Sequence, residues 1–180
     1  MTCIVGVEHA GGVTIGGDAA ASTDNLTTCR TGSKVFRIGP YLIGYTSSFR
    51  MGDLLRYALQ PPAPKTPKHL DRQMVTEFID SVRECLKDGG YARTTDQQES
   101  AGEFLVAVTG RLYEIGSDYQ VGRPLEGYTA IGSGSLLAIG SLATTANSKL
   151  TPQQRAVAAL NASARHDPFV NPPFTVKTVQ

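Results

Sequence analysis

The sequence has no tryptophan and only three cysteines in 180 residues. Cys3, Cys29 and Cys85 are odd in number and show no CxxC or metal-ligand spacing. They build neither a disulfide framework nor a thiolate site, and unpaired thiols of a reducing compartment are the plain reading. Charge is scarce and balanced, with 17 Lys+Arg against 16 Asp+Glu for a net +1. That balance gives no broad field to recruit nucleic acid or an anionic membrane, so neither is expected as a partner. Long apolar runs are missing: LLAIG is far too short to span a bilayer. The N-terminus lacks a basic n-region and a small-residue cleavage site, which makes the cytoplasm the expected address. HExxH, GxxxxGK[ST] and GxSxG are absent, and His9, His69 and His166 do not recur at ligand spacing. No metal and no cofactor is expected from such a set.

What is present begins with short β-rich runs. TCIVGVEH and GVTIGG, joined at Ala10-Gly11-Gly12, read as a hairpin, because glycine supplies the positive φ of the turn. SKVFRIG and YLIGYT form a second pair split by Gly39-Pro40. SSFRMGDLLRYALQ then changes to helical period behind Ser47 or Ser48 as N-cap, and the prolines of PPAPKTPK end it. A longer helix runs from about His69 to Lys87, with Leu70, Met74, Phe78, Val82 and Leu86 on one stripe and Gly89-Gly90 as its stop. Tyr91 to Gly102 is polar and reads as loop. Strands return at EFLVAVTG, RLYEIG, DYQVG and YTAIGSG. Two helices follow, SLLAIGSLATTAN and TPQQRAVAALNASARH, the second with Thr151 as N-cap and Pro152 at its first position. FTVKTV closes the chain as a strand. No repeat or linker divides residues 1–180, so one domain is expected.

Strands in hairpins with helices grouped between them argue against βαβ winding. They point to an α+β fold in which two antiparallel sheets, each covered by a helical pair, make a four-layer αββα sandwich.

The N-terminal stretch is unusual in that a strand starts at residue two, where chains ordinarily fray. Thr2 is small enough for Met1 to be removed in the cytosol, which would leave a free α-amine beside the Thr2 hydroxyl. An α-amine has a pKa of about 7.7–8.0, so one residue would supply both nucleophile and base. Asp18 follows Thr2 by 16 residues and Lys34 follows Asp18 by 16. GSGS at 132–135 runs from a strand into a helix, where backbone N–H groups can hold an anion or a chain terminus.

The ordered set IVGV, GGVTIGGD, KVFRIG and IGSGS, with Thr2, Asp18 and Lys34 at these intervals, resembles the proteasome β-subunit and HslV-like threonine peptidases of the N-terminal nucleophile hydrolases. The resemblance covers essentially the whole chain. It implies the αββα N-terminal nucleophile hydrolase fold and an endopeptidase in which Thr2 Oγ attacks a peptide carbonyl and forms an acyl-enzyme. It implies that Lys34 stabilises the developing alkoxide, that Asp18 orients Lys34, that Ser133 binds the terminal amine and that Asp167 supports the nucleophile. The backbone of Ser47 or Ser48 falls where the family forms its oxyanion hole. Glycine is common there in the family, and Val170 stands where proteasome subunits carry a serine. Chains exposed by simple Met removal have no propeptide, as in the bacterial type. The family also implies a homo-oligomeric ring, most simply a double ring, that receives unfolded polypeptide from an ATPase partner. A local reason for assembly is the apolar excess Phe49, Met51, Leu54, Leu55, Tyr57 and Leu59 on one helix. The alternative reading keeps the fold and drops proteolysis: an inactive ring-forming scaffold, or an amidase for a small substrate. Cys3 alternates with Thr2 along the strand and belongs to the core.

Overall fold

A computed structural model describes residues 2–23, 26–95 and 98–180. In chain order its elements are β1 (Ile4–His9), β2 (Gly12–Gly17), β3 (Ala20–Thr23), β4 (Leu26–Cys29), β5 (Val35–Ile38), β6 (Tyr41–Tyr45), α1 (Phe49–Tyr57) and α2 (Pro67–Gln73). A π-helical stretch (Met74–Phe78) leads into α3 (Ile79–Asp88), β7 (Arg93–Thr95), β8 (Gln98–Ser100), β9 (Phe104–Val108), β10 (Arg111–Ile115) and β11 (Val121–Gly122). Then come β12 (Tyr128–Ile131), α4 (Ser135–Thr144), α5 (Pro152–His166) and β13 (Thr175–Val179).

Two antiparallel sheets carry the architecture, one ordered β12-β1-β2-β13 and the other β11-β10-β9-β6-β5. Strand alternation sorts their side chains into three apolar layers. Ile4, Val13, Ile15, Leu42, Leu105 and Leu112 fill the space between the sheets. Val5, Val7 and Cys3 face the other way, onto Ala138 and Leu142 of α4 and Ala159 and Leu160 of α5. Tyr41, Ile43, Phe104 and Val106 face α1, α2 and α3 through Met51, Leu55, Leu70 and Phe78. This is the expected αββα order. The sheets approach closely because Gly44 faces the middle layer, where a Cβ would come within 2.7 Å of Ile4 and 2.8 Å of Ile15.

The stripe Leu70, Met74, Phe78, Val82 and Leu86 is fully buried. A strict four-residue repeat drifts off one face of a 3.6-residue helix, and the wider π turns of Met74–Phe78 take up that drift.

Two expectations need correction, and one hairpin is added. Residues 91–102 are not simply loop, since β7 and β8 pair as a small hairpin, with Arg93 opposite Ser100. A second hairpin, β3 with β4, leaves no mark in the sequence pattern, because the exposed LTTC strand carries no buried face to show alternation. The apolar excess on α1 is not surplus: Met51, Leu54, Leu55 and Leu59 are all buried, and of that group only Tyr57 is exposed, at 79%. The sheet beneath and α3 beside it absorb the rest.

Candidate active site

Strand register brings the site together. With Ile4 opposite Gly17 in the β1–β2 pair, Cys3 meets Asp18 one step further out. Asp18 N–H donates to the Cys3 carbonyl (3.3 Å), and Cys3 N–H donates to Asp18 Oδ1 (3.1 Å). On the other sheet, Tyr45 N–H donates to the Lys34 carbonyl (3.1 Å), so Lys34 sits beside the end of β6. The starts of β1 and β5 and the ends of β2 and β6 therefore converge at one end of the sandwich.

Lys34 Nζ donates to Thr2 Oγ1 (2.7 Å) and to Asp18 Oδ1 (2.8 Å). Lys34 is 3% exposed, and Thr2 and Asp18 are buried beside it. Burial pushes the Lys34 ammonium below its ordinary value, and the adjacent Asp18 carboxylate opposes that shift. The remaining Asp18 oxygen accepts N–H from Ala20 (2.8 Å) and Asn171 (3.5 Å). Asn171 also takes the Ala19 N–H on its carbonyl (3.0 Å), so the chain after α5 straps the Asp18 turn from outside. Nothing in the sequence marks Asn171 for this role, because a partner 153 residues away leaves no local pattern.

The loop before α4 holds the other side of Thr2. Its backbone nitrogen donates to Ser133 Oγ (3.2 Å), and Gly134 N–H reaches the Thr2 carbonyl (3.3 Å). Gly132 makes the close approach possible: its φ is +93°, and a Cβ there would stand 2.3 Å from that carbonyl oxygen. Met1 lies outside the described residues.

Ser47 and Ser48 line a cavity of about 90 Å³ together with Thr2, Ser22, Lys34, Tyr45, Thr46 and Phe49. Ser47 has φ +71°, a strained value for a residue with a side chain. Ser48 N–H closes the turn onto the Thr46 carbonyl (2.9 Å), and Ser48 Oγ caps α1 by accepting Arg50 N–H. Ser47 N–H has no partner among the described residues, whereas Ser47 Oγ accepts Glu103 N–H (3.1 Å). Of the two serines, Ser47 thus offers the open backbone donor.

Asp167 is brought near but differently. It caps the C-terminal end of α5, its Oδ1 accepts Phe169 N–H (2.9 Å), and its buried Oδ2 has no hydrogen-bond partner among the described residues. Val170 is buried against Cys3 under the Gly134 turn and adds no hydroxyl. Cys3 is core as expected, with burial raising its thiol to about 11, far from a thiolate nucleophile.

No sequence-family model and no curated protein matches the chain. Solved structures do. Thiobacillus denitrificans BPH in complex with epoxomicin aligns over 99% of both chains at TM-score 0.80 and 18% identity. A second structure of that BPH gives 0.79 over 99% of this chain and 98% of the other, again at 18% identity. The eukaryotic HslV of Trypanosoma brucei gives 0.68 over 97% of each chain at 19% identity. The fold is HslV-like. It is the proteasome-type, N-terminal nucleophile hydrolase architecture over essentially the whole chain, and at this identity the likeness speaks for the fold alone. In this HslV-like frame the Thr2, Asp18 and Lys34 cluster lies at one end of the packed sheets, with Ser133, Ser47 and Ser48 around it. Among the described residues no helix is long and apolar enough to cross a membrane.

Proposed function

We propose that this chain, one domain over residues 1–180, is a cytoplasmic threonine endopeptidase subunit that becomes active once Met1 is removed. The observation that carries the reading is Lys34 Nζ at 2.7 Å from Thr2 Oγ1 and 2.8 Å from Asp18, in a buried setting beside a cavity. A lysine placed there for structure alone would have no need of the hydroxyl.

In the proposed reaction Thr2 Oγ forms a bond to the peptide carbonyl carbon while its proton passes to the Thr2 α-amine. Lys34 stabilises the developing alkoxide, and Asp18 fixes the ammonium in place. Negative charge on the carbonyl oxygen is met by Ser47 N–H, a backbone donor with no partner among the described residues. The α-ammonium then returns its proton to the leaving nitrogen as the C–N bond breaks, leaving an ester on Thr2. Water, giving its proton to the amine, cleaves that ester. Ser133 Oγ holds the nitrogen that becomes the amine. Asp167, close enough to act on Cys3 electrostatically, offers its unpartnered Oδ2 to the new ammonium.

Assembly into a homo-oligomeric ring, most simply a double ring fed with unfolded polypeptide by an ATPase partner, belongs to the same proposal. Its local support lies on α4 rather than α1. Leu136 is 84% exposed, Leu137 and Ile139 of the same helix are open as well, and no charged residue occurs from 127 to 148. A second copy of this chain is the occupant such an uncharged apolar face fits.

The test joins intact mass with turnover. Protein lacking Met1 should hydrolyse fluorogenic peptides, Thr2→Ala should abolish this with folding intact, and Lys34→Ala should cost several orders of magnitude. Undiminished hydrolysis by Thr2→Ala would refute the proposal, and a retained Met1 would favour the inactive scaffold instead.

A further inference from the structure

Lys34 meets Thr2 Oγ1 and Asp18 at the tip of a long, flexible stem, so its ammonium lands correctly only if the backbone aims that stem. The chain leading to it gives little help. No helix or strand covers residues 30–34, between the end of β4 and the start of β5, and Arg30, Thr31 and Gly32 are exposed. The direction of the Lys34 side chain is instead set by the two rigid peptide planes on either side of its Cα. The plane after it is held twice: Tyr45 N–H donates to the Lys34 carbonyl (3.1 Å), and Val35 N–H donates to Ser33 Oγ (3.0 Å). The plane before it carries the Ser33 carbonyl, and that oxygen accepts from Arg56 Nη2.

Arg56 stands in the last turn of α1. Its guanidinium lies 4.6 Å from the centre of the Phe36 ring, a contact that orients the flat group without using its N–H donors. It makes no ion pair among the described residues, and Asp53, one turn back on the helix, is exposed. The buried Arg56 Nε has no hydrogen-bond partner among the described residues. A half-buried cation with no counter-ion and an unmet donor costs stability. An apolar side chain would cover Phe36 without that cost. What it could not do is donate a charge-assisted hydrogen bond to the Ser33 carbonyl.

We infer that Arg56 is a positioning residue for Lys34. It locks the Ser33–Lys34 peptide plane, and with both planes fixed the ammonium is delivered to Thr2 Oγ1. Arg56 does not line the cavity beside Thr2. The placement of Lys34 stands on geometry, whereas its effect on rate rests on the peptidase reading.

The test follows Lys34 itself as well as turnover. In full-length protein carrying 15N-labelled lysine, the Lys34 Nζ resonance is identified by its loss in Lys34→Met. In Arg56→Ala that resonance should move, and millimolar guanidinium chloride, which refills the emptied slot, should return it, whereas equal sodium chloride should not. Arg56→Leu keeps the cover on Phe36 and should show the displacement without the response, its slot being filled. If Arg56→Ala does not fold, the Arg56→Leu resonance decides alone. In a parent that hydrolyses peptides, either variant should lower kcat about 10–100-fold with KM within about twofold, and guanidinium should restore kcat only in Arg56→Ala. A Lys34 resonance that stays put in both variants overturns the assignment, as does one that moves in Arg56→Ala and ignores guanidinium. A resonance that moves and returns in a protein without hydrolysis upholds the assignment and removes the peptidase reading. An unmoved resonance with brisk hydrolysis does the reverse.

Discussion

Replacing Asp18 by asparagine should destabilise the protein strongly, and the structure sets the size of the effect. Asn keeps an acceptor for only one of the Cys3 N–H on Oδ1 and the Ala20 N–H on Oδ2, sets its NH2 against the other, and removes the charge that faces Lys34 at 2.8 Å. Lys34, 3% exposed, is then a buried cation without a counter-ion. Breaking one side of such a pair costs about 3–5 kcal/mol. For a chain of this length that corresponds to a fall in melting temperature of about 6–20 °C. The loss should depend on pH. Burial already lowers the Lys34 pKa below 10.5, and without Asp18 nothing comparable opposes it. Between that lowered value and 10.5 the folded variant binds fewer protons than the unfolded chain, so its stability should rise with pH across that window. Adding Lys34→Met should recover most of the loss, since an apolar side chain removes the stranded charge. Urea and thermal unfolding at fixed protein concentration would measure the parent and both variants. A single variant within about 1 kcal/mol of the parent, or a double variant no better than the single, would show that the pair is not buried as described.

Gly132→Ala should displace the Thr2 carbonyl it faces at 2.3 Å and destabilise by more than about 3 kcal/mol, read as a lowered urea midpoint; a neutral outcome would contradict the turn geometry. His9 accepts Gly11 N–H on Nδ1 and pairs with Thr14 through Nε2, and burial lowers its pKa from 6.5. Because the folded chain holds fewer protons below 6.5, stability should begin to fall there as pH drops and level off beneath the lowered value, and His9→Gln should flatten that profile. A charge at Leu55, which is fully buried between α1 and the sheet, should unfold the protein. At exposed Leu136 it should leave the circular dichroism spectrum intact and reduce the particle size by light scattering; the reverse pattern would put the interface back on α1.

Most of the scaffold is legible in the chain because its strands alternate and its helices carry full stripes. Val5 and Val7 against Ile4, or Leu70 through Leu86, each declare a buried face by their periodicity alone. The equal spacing of Thr2, Asp18 and Lys34 also has a physical origin. A hairpin returns Asp18 to the start of the first strand, and the next sheet brings Lys34 to the same end. What stays hidden lacks local signal. Hairpin β3–β4 is exposed throughout β4, so no pattern marks it. Asn171 acts through backbone atoms, which every residue possesses. Choosing between Ser47 and Ser48 requires knowing that Ser48 N–H is already bound to Thr46.

Thr2 and Asp18 belong to one sheet, whereas Lys34, Ser47 and Ser48 belong to the other, and the middle apolar layer is what holds them within reach. With that layer open, the threonine hydroxyl and its cation would ride on separate bodies. Any chemistry that depends on both requires the two sheets to be docked. The same separation turns the Thr2–Lys34 contact into a sensor of sheet docking. A probe on Thr2 would report the final closure of the molecule rather than the earlier appearance of its secondary structure.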